Sequence, residues 1–268
     1  LGTGHADTAV SLNDLAISLR RQERYAEALP LYEKVLAIRE TVLGPDAADT
    51  AWSTFWVARV LQSLERPGEA AAVMAKAVAR ARIAFGPTDR ATIQWLGEAA
   101  DLLQDAGDIA GAEPLYLEAN ALGAEALEPG DALLSYPLHG LARLYYGQGR
   151  AAEAVPLYRA ALAIREAAYG ADDRDTLATV DALARALWDA GDIVDAEMLF
   201  RRLLAARDSV GDTDSLVVAD LLRWIGRAAS ALDRKAEAEI VLKRALAISE
   251  AQLGPDHVLA GFDLIALG

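Results

Sequence analysis

The chain repeats itself every 42 residues, and that period constrains its fold more than any other feature. Ala28, Ala70, Ala112, Ala154, Ala196 and Ala238 fall at successive steps of 42, and so do Ala37, Ala79, Ala121, Ala163, Ala205 and Ala247. Self-similarity of this length marks stacked supersecondary units, each too small to bury a core alone. Other columns agree in character. Tyr32, Met74, Tyr116, Tyr158, Phe200 and Leu242 are all large and apolar, whereas Ala16, Ala58, Ala100, Ala142, Ala184 and Gly226 are all small. Large side chains need holes and small ones supply them, as interlocking helices require.

Within one unit, Leu12, Leu15, Ala16 and Leu19 lie at the spacing of one helical face, and Ala28, Leu31, Tyr32, Val35 and Ile38 form a second, so each unit reads as two helices. The break between them is short and polar, as in Asp105-Ala106-Gly107-Asp108 and Asp189-Ala190-Gly191-Asp192, where Gly closes the first helix. Between units stand Leu43-Gly44-Pro45-Asp46, Phe85-Gly86-Pro87-Thr88, Tyr169-Gly170-Ala171-Asp172 and Leu253-Gly254-Pro255-Asp256. Asp7-Thr8, Asp49-Thr50 and Asp175-Thr176 follow these stops as expected N-caps. Glu128-Pro129-Gly130-Asp131 and Val210-Gly211-Asp212 place their Gly off the column, so those two junctions are expected to differ in geometry.

Composition narrows what such an array can do. Hydrophobic residues make up 53% but aromatics only 6%, with much of the apolar share in Ala and Leu, which favour helix. The 40 acids against 26 bases give a formal charge of −14, which repels a phosphate backbone and argues against nucleic acid as partner. Without cysteine there is no disulfide, thiolate metal site or cysteine nucleophile. No apolar run reaches the roughly 18 to 20 residues of a membrane span and no leader opens the chain, so a soluble, cytoplasmic protein with no membrane partner is expected. The start at Leu1, in a loop-like stretch, suggests a longer parent protein.

Three runs carry a family resemblance: Ser11-Leu12-Asn13-Asp14-Leu15-Ala16, Tyr25-Ala26-Glu27-Ala28-Leu29-Pro30-Leu31-Tyr32, and Ala37-Ile38-Arg39-Glu40-Thr41-Val42-Leu43-Gly44-Pro45-Asp46. Together they closely resemble the 42-residue tetratricopeptide repeats of kinesin light chains and their bacterial relatives. The likeness spans essentially the whole chain as a single solenoid domain, 1–268. Its six repeats fall at about 1–44, 45–86, 87–130, 131–170, 171–212 and 213–257, with a truncated seventh first helix at 258–268. The resemblance implies an all-α fold, a right-handed superhelical solenoid of antiparallel helix pairs whose first helices line a concave groove where peptides usually bind. It implies no enzymatic activity. Such repeats occur in signalling ATPases, caspase-like protease assemblies and stand-alone scaffolds, so they identify a way of binding and not a pathway. Only Asn13 with Asp14 approximates the Asn pair common in kinesin light chains, so recognition of a kinesin-type cargo peptide does not carry over.

The residues themselves offer no catalytic or cofactor chemistry. His5, His139 and His257 are the only histidines, two of them in one loop slot, and no His-Glu-x-x-His or comparable metal group occurs. There is no Gly-x-Ser-x-Gly elbow and no phosphate-cradling Gly-rich loop. Neighbouring acids such as Asp172 and Asp173 read as solvated loop residues.

If Leu12, Leu15, Ala16 and Leu19 are core, then Val10, Asn13, Ile17 and Arg20 lie about 100° around the same helix. By the resemblance, that stripe faces the groove. Stepped by 42, it gives Trp52, Phe55 and Arg59 in the second unit, Asp101 in the third, and Tyr136, His139, Arg143 and Tyr146 in the fourth. The fifth contributes Asp181, Arg185 and Trp188, and the sixth Asp220, Arg223 and Arg227. Arg59, Arg143, Arg185 and Arg227 share one slot, so the last three are expected to form a ladder of like charge that favours an anion. That anion comes either from the protein, as Asp181 could supply, or from a ligand. Trp52, Tyr146 and Trp188 are expected on the groove, and Trp56 and Trp224, which share a neighbouring slot, as wedges between helices. The expectation is a scaffold that holds an acidic peptide. The alternative is the sensor or autoinhibitory arm of a larger NTPase or protease. Leu259, Phe262, Leu264 and Ile265 of the truncated helix offer a route to self-association.

Overall fold

The computed structural model describes residues 6–254. These form α1 (Ala6–Arg21), α2 (Tyr25–Leu43), α3 (Ala48–Ser63), α4 (Pro67–Ala84), α5 (Arg90–Asp105) and α6 (Ile109–Ala126). A short 3₁₀ turn (Ala132–Leu134) precedes α7 (Ser135–Gly147), α8 (Ala151–Tyr169), α9 (Arg174–Asp189), α10 (Ile193–Ser209), α11 (Leu216–Ala231) and α12 (Lys235–Leu253). No strand occurs among the described residues, and no helix there is long and apolar enough to cross a membrane. The fold is all-α. The helices gather into two compact units that divide between Leu144 and Tyr145, within α7. In each unit consecutive helices pair as hairpins and each hairpin packs on the next, α2 against α3 and α8 against α9 for instance.

One turn closes every hairpin. Residues 23, 65, 107, 149, 191 and 233 all take positive φ, Gly at three of them and Glu23, Glu65 and Asp233 at the others. Around the first, the Arg24 amide donates to the Leu19 carbonyl and the Glu23 amide to Arg20, the paired bonds of a Schellman stop. The same two bonds recur at residues 65–66, 107–108, 149–150, 191–192 and 233–234. Starts are less uniform, since α2, α3, α4, α8 and α12 have no side-chain cap, and the caps that do form are not where the sequence placed them. Asp49-Thr50 and Asp175-Thr176 lie inside α3 and α9. The caps stand earlier, at Asp89, Asp131, Asp173 and Ser215, whose side chains accept amides two or three residues on. Two threonines in this slot instead fasten the preceding stop: Thr50 and Thr92 hydroxyls donate to the Gly44 and Gly86 carbonyls, each at 2.8 Å, whereas the Thr176 hydroxyl is buried without such a bond.

Column chemistry explains the packing. Tyr32, Met74, Tyr116, Tyr158, Phe200 and Leu242 are all buried, and so are the small residues opposite. The fit is tight: a Cβ added at Gly226 would lie 2.6 Å from Leu242. The Ala28 column is buried throughout, whereas the Ala37 column faces solvent, where Ala serves helix propensity and not packing. Leu15, expected in the core, is 51% exposed, because no described helix packs on the far side of α1. The two off-column junctions do differ. A 3₁₀ turn replaces the first turn of α7, and α10 ends at Ser209, one residue early in the register against α4 and α6 and two against α2, α8 and α12. On the second helices, ion pairs step from hairpin to hairpin: Arg82–Glu118 at 2.7 Å in the first unit, and Arg159–Asp195 at 2.5 Å and Arg201–Glu237 in the second.

Candidate functional site

In the first unit the candidate residues lie on α1, α3, α5 and the first part of α7. Trp52 is 38% exposed and meets Trp95 edge-on at 4.8 Å. Phe55, expected beside it on the open face, is 4% exposed and stacks on Trp95 at 4.6 Å. It is core, because Trp95 of the next repeat stacks over the ring and Trp52 and Trp56 meet its edges. Trp56 is half-buried against Tyr32, with the Arg20 guanidinium 4.4 Å above its ring. Arg59 donates to Gln62 at 3.0 Å and to Glu98 at 3.3 Å. Arg20, Tyr25, Trp52, Trp56, Arg59, Gln94 and Glu98 surround a cavity of about 390 Å³. Burial raises the Glu98 carboxyl above its ordinary range, with Arg59 and Gln94 acting the other way.

Arg143 donates to Asp101 at 2.8 Å, and the Tyr116 hydroxyl donates to the same oxygen at 2.6 Å. Burial raises the Asp101 carboxyl above the usual carboxylate range despite both donors, and burial and Asp101 together push the Tyr116 hydroxyl up. Tyr136 is exposed and His139 half-buried.

In the second unit, Tyr146 donates to Asp189 at 2.7 Å, and burial with that carboxylate pushes its hydroxyl up to about 12. Arg185 bridges Asp181 at 2.9 Å and Asp220 at 3.1 Å. Arg223 also reaches Asp220, at 3.3 Å, and donates to the Ser249 hydroxyl at 3.0 Å, which ties it into α12. Arg227 is different. Its guanidinium sits 4.8 Å from the Trp188 ring and 4.5 Å from Trp224, and it has no ion pair among the described residues. Trp224 is the wedge expected of its slot, stacked on Phe200 at 5.3 Å.

The arginine column is thus largely neutralised from within, and apart from Glu98 the neutralising acids stand in the stripe itself. Asp101 occupies the arginine slot of its own repeat, 42 residues before Arg143, and Asp220 stands one repeat on from Ala178. That signal was in the sequence, and so was Arg20, which stands in the expected stripe one turn beyond the slot of Arg59 and meets Trp56 there. Among the described residues no cluster of three or more metal-ligating side chains occurs. His5, His257 and the apolar residues of 258–268 lie outside the described residues.

Residues 7–82 and 133–209 match a family model described as "Tetratricopeptide repeat", and residues 218–259 match a second model of the same description. Among curated proteins none matches. Solved structures do. A kinesin light chain of Podosopora anserina with nearly identical TPR-like repeats aligns at 25% identity and a TM-score of 0.64, over 77% of this chain and 98% of that one. YrrB, described as a TPR protein with an unusual peptide-binding site, aligns at 18% identity and 0.58, over 80% and 92%. PH0952 of Pyrococcus horikoshii, a signal transduction ATPase with a tetratricopeptide repeat sensor, aligns at 15% and 0.68, over 97% of this chain and 38% of that one.

Proposed function

Because the chain belongs to the tetratricopeptide repeat family, with repeats of the kinesin-light-chain type, we propose that it is a non-catalytic scaffold whose first-helix faces hold extended, acidic peptide segments. The observation that carries the acidic preference is Arg227. In a chain of charge −14, this guanidinium is held between two tryptophan rings without an acid partner among the described residues. Cation–π contact with the two rings, which meet edge-on, steadies the guanidinium without using its N–H groups on an acid, and leaves them for a carboxylate. Trp188 beside it, and Trp52 with Arg59 in the first unit, supply the aromatic and cationic contacts typical of interface anchors. Arg143 and Arg185 act more weakly, because a peptide carboxylate has to compete with Asp101, Asp181 and Asp220.

The test is a peptide-array screen followed by calorimetry on the best hits. A charge-assisted hydrogen bond contributes roughly 1.5 to 3 kcal/mol when sheltered, so Arg227→Ala weakens an acidic hit at least tenfold with helicity intact. Raised salt reproduces part of that loss. Hits that are mostly basic, or acidic hits indifferent to Arg227→Ala, overturn the acidic reading. A second reading, the sensor arm of a larger signalling protein, is supported by the likeness to the repeat-bearing ATPase, of which this chain spans 38%. The parent gene tests it: a reading frame without an NTPase or protease domain beside these repeats rejects it.

A further inference from the structure

Stepping the 42-residue register three times carries the first unit's aromatic cluster onto the second unit, and there every ring is lost. Between α3 and α5, Trp52, Phe55, Phe85 and Trp95 fill the space with centroids 4.6 to 6.5 Å apart. The residues 126 positions later are Ala178, Asp181, Gly211 and Leu221. The shortened α10 adds to the loss, because Val210, which ends it where Phe85 ends α4, is 75% exposed instead of packed. The result is a cavity of about 770 Å³ between α9 and α11, floored by Leu177, Leu203 and Leu221 and walled by Val210, Leu216 and Val217.

The rim is charged in a way the register also explains. In the first unit Arg90 pairs with Asp131, 41 residues on, at 2.5 Å. Two repeats on, Arg174 takes the place of Arg90 and meets Ser215 where Arg90 meets Asp131, and it has no ion pair among the described residues. Arg207, also on the rim, has Asp212 at 3.8 Å as its one acid among the described residues. Of the lining acids, Asp181 and Asp220 are both taken by Arg185, and Asp172 stands exposed at the mouth.

We propose that this cavity is a binding site for a small planar aromatic molecule bearing an anionic group, its rings in the space the first unit fills with aromatics and its anion against Arg174. The volume lies within the roughly 300 to 1,000 Å³ usual for small-ligand pockets and exceeds what one peptide side chain fills. An apolar floor with a few convergent polar groups is what such ligands require. This site shares Asp181, Arg185 and Asp220 with the proposed peptide face but does not use Arg227, so its failure and that of the acidic-peptide reading are distinguishable.

The test uses two fluorescent probes of like ring system, anionic 8-anilinonaphthalene-1-sulfonate and neutral N-phenyl-1-naphthylamine. The anionic probe binds one-to-one. Ala178→Trp, which restores the ring that Trp52 supplies in the first unit, weakens both probes at least tenfold with the Tm unchanged or raised. Arg174→Gln weakens the anionic probe about threefold or more and leaves the neutral one unchanged, and Arg227→Ala affects neither. Should Ala178→Trp fail to fold, Val217→Trp narrows the mouth from an exposed position and gives the same loss. Absence of one-to-one binding, or binding indifferent to these tryptophans, overturns the site. Equal response of both probes to Arg174→Gln overturns the anionic part. An acidic peptide that loses binding in Ala178→Trp while neither probe binds assigns the cavity to a peptide side chain and rejects the proposal.

Discussion

The two units share a backbone and differ in what fills it. Between α3 and α5 four aromatic rings close the space, whereas between α9 and α11 the same slots hold Ala178, Asp181, Gly211 and Leu221, and the space stays open. The hairpin turns and buried alanines above and below are identical in kind. The comparison separates two kinds of information in one repeat. Turns, caps and the Tyr32-type and Ala28-type columns specify helices and their approach. The remaining slots are free to make either a core or a cavity.

The largest expected effect tests whether the aromatic cluster is core. Trp95 is fully buried at its centre, so Trp95→Ala lowers stability by about 3 to 5 kcal/mol, read from urea unfolding. Leu221→Ala, at the matching slot, has a cavity beside it already and falls at or below the low end of the ~2 to 5 kcal/mol range for such truncations. Equal losses at the two sites would remove the distinction between a filled and an open interval.

A middle-sized effect asks whether the shared columns respond alike. Ala112 in the first unit and Ala154 in the second are both fully buried. Substitution of either by Leu overpacks a helix contact by about 1 to 3 kcal/mol. A melting temperature unmoved by Ala154→Leu but lowered by Ala112→Leu would break the equivalence of the units. The smallest effect concerns the turns. Glu65 and Asp233 hold φ of 56° and 59°, a region that β-carbons disfavour. Relief of about 1 to 2 kcal/mol of left-handed strain outweighs the roughly 0.4 to 1 kcal/mol that a looser unfolded chain costs. Glu65→Gly and Asp233→Gly should therefore each raise stability by about 0.5 to 1 kcal/mol, and a loss at either site would show that its side chain contributes more than its backbone strain removes.

Much of this was legible in the sequence. Period, hairpins, stops and the two irregular junctions follow from Gly, Pro and apolar spacing, which act locally. The misplaced caps show the limit of reading short motifs: Asp175-Thr176 looks like a cap, but Asp173 stands two residues earlier and takes the amides of both. Phe55 failed for a different reason, since a stripe on one helix does not reveal that Trp95 of the next repeat lies against it. The neutralised arginines and the cavity are relations between repeats, visible only when whole columns are compared for what is missing.

The ion pairs that step along the second helices have a mechanical consequence. Arg82–Glu118, Arg159–Asp195 and Arg201–Glu237 each span neighbouring hairpins at the surface, where dissolved salt screens them over about 8 Å at physiological strength. The apolar contacts nearer the axis are indifferent to such ions. Within each unit, then, the spacing between neighbouring second helices is the part of the packing that dissolved salt loosens, by no more than the ~1 kcal/mol such an exposed pair contributes.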